Sequence, residues 1–267
     1  MFSESFSEAW EMRFGQPPEF PPPPIDRFLT HRSVRRYRPE PVPEDVVSGL
    51  IGAAQSAATS SNLQLWTVVS VQDPDRREAI ARLCADQRQI REAAWFFAFL
   101  ADHHRLRQAA AEVGESAAGL DYVEFFVMAL VDAALAAERL VCAAESLGLS
   151  ICYIGALRND PEGVRRLLDL PEGTFGVFGL CLGWPSENAH AEIKPRLSQD
   201  AIWHRETYRR EAPIAEYDER MRSFYESERM KGDVTWSMRS GRRVDEHHLT
   251  GREVLEEWLR AQGFCRR

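Results

Sequence analysis

Residues 122–156 read YVEFFVMALVDAALAAERLVCAAESLGLSICYIGA, and the periodicity of this stretch decides the fold. From Tyr122 to Leu147 apolar side chains dominate, broken only by charges such as Asp132, Glu138 and Arg139. So long a run is a helix and not a strand, and Gly148 is its natural C′ residue. A helix apolar on most faces must be buried on most faces. It therefore lies at the centre of a domain, or gives its remaining face to another subunit. Directly behind Gly148, Ile151 to Ile154 is a short strand that ends in Gly155-Ala156. Small residues there let backbone amides face a flat ligand with no side chain in between.

Working outward, Val46, Val47, Leu50, Ile51 and Ala54 repeat at helical spacing after Pro43, with Glu44 and Asp45 complementing the helix dipole in the first turn. The helix runs into Ser56-Ala57-Ala58-Thr59-Ser60-Ser61-Asn62, a poor helix but a good close-approach loop. Trp66 to Val71 and Trp95 to Ala101 read as strands on either side of a helix through Arg76, Ile80 and Leu83. A helix near Val164 to Leu168 precedes a strand from Phe175 to Leu182, stopped by Gly183-Trp184-Pro185. Strands and helices alternate irregularly and no internal repeat is visible, which favours an α+β sheet over a repeated βαβ array. Residues 1–27 end in Pro17-Pro18 and Pro21 to Pro24, which predicts an extended, proline-rich N-terminal arm ahead of one domain over 28–267.

With 267 residues, 44% of them hydrophobic, the chain can bury roughly 70–75% of its unfolded surface. The five cysteines are scattered without a CxxC pair, as expected of a reduced compartment. The first 25 residues hold Glu4, Glu8 and Glu11 and no apolar leader core, and no later stretch matches the ~20 apolar residues of a membrane span. A cytoplasmic protein with no membrane partner is expected. A net charge of −8 argues against a nucleic-acid partner. No metal is expected, because His247-His248 and His103-His104 are adjacent pairs that point apart on a helix.

Against that acidic background, His31-Arg32-Ser33-Val34-Arg35-Arg36-Tyr37 concentrates phosphate-binding chemistry. Lys194-Pro195-Arg196 adds two more cations in a proline-stiffened loop. Each cluster alone reads more readily as a solvated basic surface than as a phosphate site. What distinguishes them is order: HRSVR, TSSNLQLW, LGLSICYIGALRN, FGLCLGWP and KPRL follow one another with nothing else competing for the role.

That ordered set resembles the nitroreductase superfamily and, within it, the group of NADPH-dependent nitroreductase A and flavin reductase P. The likeness runs from about residue 28 to 267 and includes the tail Tyr217-Asp218-Glu219, Trp236 and Gln262-Gly263-Phe264. It implies a central, mostly antiparallel mixed sheet flanked by helices in an intertwined homodimer, with the long helix as dimer core and the segment after about 212 wrapping the partner. It implies tightly bound FMN. Carried over, His31, Arg32, Ser33 and Arg35 hold the phosphate and ribityl oxygens, and Lys194 and Arg196 complete the grip. Thr59 and Ser61 lie near the ring, and Gln87 meets the pyrimidine edge or ribityl chain. Tyr153, Ile154, Gly155 and Ala156 lie against the isoalloxazine. Ala156 stands where the group usually has a second glycine, and a positive φ there would be strained.

The implied activity is ping-pong transfer of reducing equivalents from NADPH, or NADH, through the flavin to a nitroaromatic, quinone or flavin acceptor. No side chain is expected to act as a nucleophile, and Lys194 is expected to stabilise reduced flavin. Arg229 and Lys231 correspond to a loop that receives the 2′-phosphate of NADPH, opposed here by Glu228 and Asp233. Arg252 matches a tail arginine facing the acceptor, and reads equally as an exposed arginine at a helix start. Two other expectations stand beside this one: a reductase supplying reduced FMN to a partner monooxygenase, and a flavin-binding module without turnover.

Overall fold

The sheet forms where β-branched and aromatic residues concentrate. Its strands are β1 (Trp66–Ser70), β2 (Trp95–Asp102), β3 (Ser150–Ile154) and β4 (Thr174–Gly183). They are ordered β1-β2-β4-β3 with every neighbouring pair antiparallel. The computed structural model describes residues 4–21, 23–228, 230, 232 and 234–267. Among these, the one parallel element is a bridge from Ser33 to Ile151, where the Val34 N–H donates to the Ile151 carbonyl at 2.9 Å. Ser33 and Val34 thus meet the outer edge of β3.

The long helix spans Val123–Ser146, and Gly148 follows it at φ 79°. One face, through Ala136, Ala137, Leu140, Val141 and Ala144, is buried in one core with Phe97, Phe99, Ile151, Leu180 and Leu182 of the sheet, and Ala129 and Ala133 join a second core with Leu65, Ala101 and Phe175. On the other face Val123, Val127, Val131 and Leu135 recur every four residues and stay 44–52% exposed. Gly179 of β4 permits the tightest contact in the sheet, since a Cβ there would stand 2.5 Å from the Phe96 ring. The expected helices before and after the sheet are present at Glu44–Gln55, Pro74–Leu83 and Pro161–Leu167.

Ser33–His190 with Gly251–Arg267 forms one unit, which contains the sheet and the long helix; Met1–Arg32 with Ala191–Thr250 forms another. Two boundaries therefore differ from those read in the sequence. The segment after about 212 is shared between the units at Thr250/Gly251, and the first 27 residues are more than an extended arm. Phe6–Phe14 is a helix, opened by a capping box between Ser5 and Glu8 and closed by Gly15 at φ 80°. Phe6, Trp10 and Phe14 lie four apart along it and stack in sequence, with ring centroids 5.6 and 4.5 Å apart.

In the sheet-containing unit, His103 is wholly buried with its ring 4.6 Å from that of Phe264. Neither ring nitrogen has a well-formed hydrogen bond among the described residues. Burial lowers its proton affinity below the usual value of 6.5; Arg107 acts in the same sense, while Asp102 and Asp121 oppose it. A histidine that resists charging only when folded favours the unfolded chain once that chain protonates. Stability should therefore be full above about pH 6.5 and decline as the pH falls below it. We expect a lower melting temperature at pH 5.5 than at pH 7.5, and a flatter profile for His103→Leu; an unchanged profile in that variant would remove His103 as the cause.

Candidate functional site

In the sheet-containing unit, β3 delivers the Tyr153–Ala156 segment. Tyr153 is half-buried, and its hydroxyl donates to Glu138 at 3.2 Å. Burial, reinforced by Glu138, raises the affinity of the phenol for its proton and keeps it a neutral donor. Ile154 is buried opposite Gly179, so its side chain faces the core. Gly155–Arg158 then form a 3₁₀ turn, whose first N–H groups have no partner within the turn itself. Ala156 does not take a positive φ, so alanine stands there without strain. Arg252 braces the turn: its guanidinium donates to the Gly155 carbonyl at 3.1 Å and to Asn159 Oδ1 at 2.9 and 3.0 Å.

The loop after the first helix of this unit carries strain that one buried carboxylate holds in place. Ser61, Asn62 and Gln64 have φ of 50°, 56° and 51°, a left-handed cluster without a glycine. Asp132 of the long helix, 1% exposed, accepts from Thr59 Oγ1 at 2.8 Å, Ser60 N at 3.0 Å and Leu65 N at 3.0 Å. Thr59 Oγ1 in turn accepts from Gln64 N at 2.8 Å. Thr59 is thereby committed to its own loop, whereas Ser61 stays exposed. In the sequence Asp132 reads as a break in an apolar helix; its position on the inward face is the one signal that marks it. Gln87 is half-buried, donating to the Cys84 carbonyl at 3.0 Å and accepting from Gln89. Ser33 is half-buried on the β3 edge, and Arg35 beside it is exposed.

The other unit holds His31, Arg32, Lys194 and Arg196. Lys194 and Arg196 are exposed, His31 is half-buried, and Arg32 is 6% exposed. Arg32 donates to the Thr30 carbonyl at 3.1 Å and pairs with Glu4 at 2.9 Å. Lys194 Nζ lies 5.9 Å over the Phe224 ring and faces a cavity of about 730 Å³. Aromatic residues Tyr217, Tyr225 and Trp236 line that cavity together with Arg239 and Arg243. Arg239 lies over the Tyr225 ring at 5.0 Å, and the Arg243 guanidinium holds the His248 carbonyl at 2.9 Å. Thr235, which caps the helix Trp236–Arg243, sets where these arginines project. Arg229 and Lys231, expected to receive a nucleotide phosphate, lie outside the described residues. Among the described residues no group of histidine, cysteine or carboxylate side chains is placed to hold a metal ion, and no helix is long and apolar enough to cross a membrane.

Comparison with known proteins agrees with this geometry. The sequence model of the Nitroreductase family matches residues 29–184, and that of the Nitroreductase family C-terminal domain matches residues 194–267. The chain is 35% identical over 247 residues to an FMN reductase (NADPH) of Bacillus subtilis, covering 90% of this chain and 97% of that one. It is likewise 35% identical over 249 residues to an oxygen-insensitive NADPH nitroreductase of Salmonella typhimurium, covering 92% and 99%. Among solved structures, the NfrA1 nitroreductase of B. subtilis superposes with a TM-score of 0.84 at 32% identity over 91% of this chain and 99% of that one. The NADPH:FMN oxidoreductase of Vibrio harveyi complexed with NAD+ gives 0.80, also at 32% and over 91% and 99%. Two family models in sequence order, full-length relatives and a shared fold converge on one conclusion: the chain belongs to the nitroreductase family.

Proposed function

We propose that the protein is an FMN-dependent oxidoreductase that takes reducing equivalents from NADPH and passes them to a small-molecule acceptor: a nitroaromatic, a quinone or a free flavin. The observation that carries this reading is the bridge from Ser33 to Ile151, which lays the stretch holding Ser33 and Arg35 beside the strand that leads into Gly155-Ala156. Phosphate-binding side chains and a small-residue turn for a flat ring thereby occur at one sheet edge, and both fit FMN. When bound, FMN supplies the two-electron carrier that no side chain provides.

The chain's own residues bind and orient. Arg35, Lys194 and Arg196 present exposed cations suited to a dianionic phosphate, with Ser33 and His31 as further donors and Arg32 behind them. Gly155 and Ala156 offer backbone donors at the start of a turn that Arg252 keeps from shifting. Thr59 and Ser61 border the ring through the loop that Asp132 fixes, and Gln87 stands near its polar edge. Lys194 supplies the positive charge that favours reduced flavin. The cavity it faces, with Arg239 and Arg243 on its wall, suits a phosphorylated nicotinamide nucleotide, and Arg229 and Lys231 remain the residues proposed from the sequence to receive its 2′-phosphate. The protein would work as a homodimer. The exposed Val123, Val127, Val131 and Leu135 stripe is what an isologous helix interface needs. A reducing cytoplasm suits the five free cysteines.

The visible spectrum of the purified protein, recorded anaerobically before and after NADPH or NADH, tests this reading. A bound oxidised-flavin band that bleaches, faster with NADPH, is expected. A band that neither nucleotide bleaches would show a binding module, and failure to take up added FMN would overturn the assignment.

A further inference from the structure

Residues 1–28 lie outside both matching family models, yet they carry a well-capped helix whose most buried charge points at the two cation-bearing segments. Arg13, in the last turn of that helix, is 5% exposed. Its Nε donates to the Leu29 carbonyl at 2.7 Å, one terminal nitrogen to the His31 carbonyl at 2.8 Å, and the other to the Lys194 carbonyl at 3.3 Å. The Arg13 carbonyl accepts from Arg196 N at 2.8 Å. One residue thus grips both the segment leading into HRSVR and the KPR segment. Gly15 ends the helix against Arg220, which itself donates to the Arg196 carbonyl at 3.3 Å.

We propose that Arg13 is a positioning residue for the flavin phosphate: it holds the His31 and Lys194 segments at a fixed separation before the phosphate arrives. The inference rests on the FMN reading above. Its physical basis is that a clasp made of two segments binds tightly only if they are already held at the width of the phosphate, and the like charges of Lys194 and Arg196 on one of them oppose that closeness until the phosphate arrives. Fixing the carbonyls of His31 and Lys194 fixes the peptide planes from which both side chains leave. A planar guanidinium can reach three carbonyls in two segments, whereas an ammonium on one flexible stem cannot match that fork. Preorganisation of this kind raises affinity by removing the ordering cost from the binding step.

The test compares flavins with and without the phosphate. Apo-protein is titrated with FMN and, separately, with riboflavin, following flavin fluorescence, for the native protein, Arg13→Ala and Arg13→Lys. Arg13→Ala should weaken FMN about tenfold or more while changing riboflavin by less than about twofold, so that the preference for the phosphorylated flavin falls about tenfold. Arg13→Lys should recover only part of that preference. Arg13→Gln reads the same ratio should the alanine variant not fold. A purely structural role would lower the melting temperature and weaken both flavins alike, leaving the ratio unchanged, and that result would overturn the proposal. Full recovery by lysine would overturn it too, since charge alone would then suffice. A native protein that prefers FMN while Arg13→Ala keeps the preference refutes only the role of Arg13. A native protein that binds neither flavin refutes the flavin reading itself.

Discussion

Replacing Asp132 with alanine should lower the melting temperature by about 10 °C, given about 3 kcal/mol for a buried carboxylate that accepts three hydrogen bonds and roughly 2–4 °C per kcal/mol in a chain of this size. The carboxylate accepts from Thr59 Oγ1, Ser60 N and Leu65 N, all in or beside a loop with three non-glycine residues at positive φ. In water those donors would be satisfied; under the long helix they are not. Since left-handed residues persist only where their surroundings impose them, the same change should release the strain and let Ser60–Gln64 move. Asp132→Asn keeps one acceptor oxygen but turns an amide donor toward donors, so it should recover less than half of the loss. Calorimetry gives the melting temperature, and titration with FMN reports the loop. A fall of both stability and flavin affinity is expected. A melting temperature within about 2 °C of the native value would show that water replaces the carboxylate and that Asp132 does not hold the loop.

Much of the sheet was legible because each strand carries its own signal. The β-branched and aromatic residues of Trp66 to Val71 and the apolar run Phe175 to Leu182, stopped by Gly183-Trp184-Pro185, locate β1 and β4 to within a residue, and Gly148 marks the helix end through its own conformation. The devices that shape the site were not legible, for two physical reasons. Asp132 works through partners 67 to 73 residues away, and no local pattern encodes so distant a contact. Arg13 works through carbonyls, which every residue has, so its targets leave no trace in side-chain identity, and Arg252 reaches Gly155 and Asn159 from more than 90 residues away. The N-terminal helix is different. Its Ser5 to Glu8 capping box and the Phe6, Trp10, Phe14 spacing are readable, but the prolines from Pro17 onward pull the reading of the whole segment toward an extended arm.

Phe264→Ala should cost as much or more, about 3–5 kcal/mol for an aromatic ring removed from a closed core, or roughly 10–15 °C in melting temperature. The ring is fully buried, 4.6 Å from His103 and 5.1 Å from Phe126. Backbone contacts fix the same corner: Gly173 N donates to the Gln262 carbonyl at 2.9 Å, and Arg107 donates to the Gly263 carbonyl at 2.9 Å. Phe264 is the anchor of the Gly251–Arg267 segment, and the other end of that segment is Arg252, the brace on Gly155. A cavity at the anchor cannot be filled by collapse without moving His103 or Phe126, so the short helix Leu255–Ala261 between anchor and brace should loosen with it. Hydrogen exchange measures this directly. Faster exchange is expected at 255–264 and also at the 155–158 turn, together with weaker FMN binding, whereas exchange at β2 should rise only in proportion to the global loss of stability. If the tail loosens while 155–158 stays as protected as global stability allows, Arg252 is held by Asn159 alone and the anchor does not reach the site.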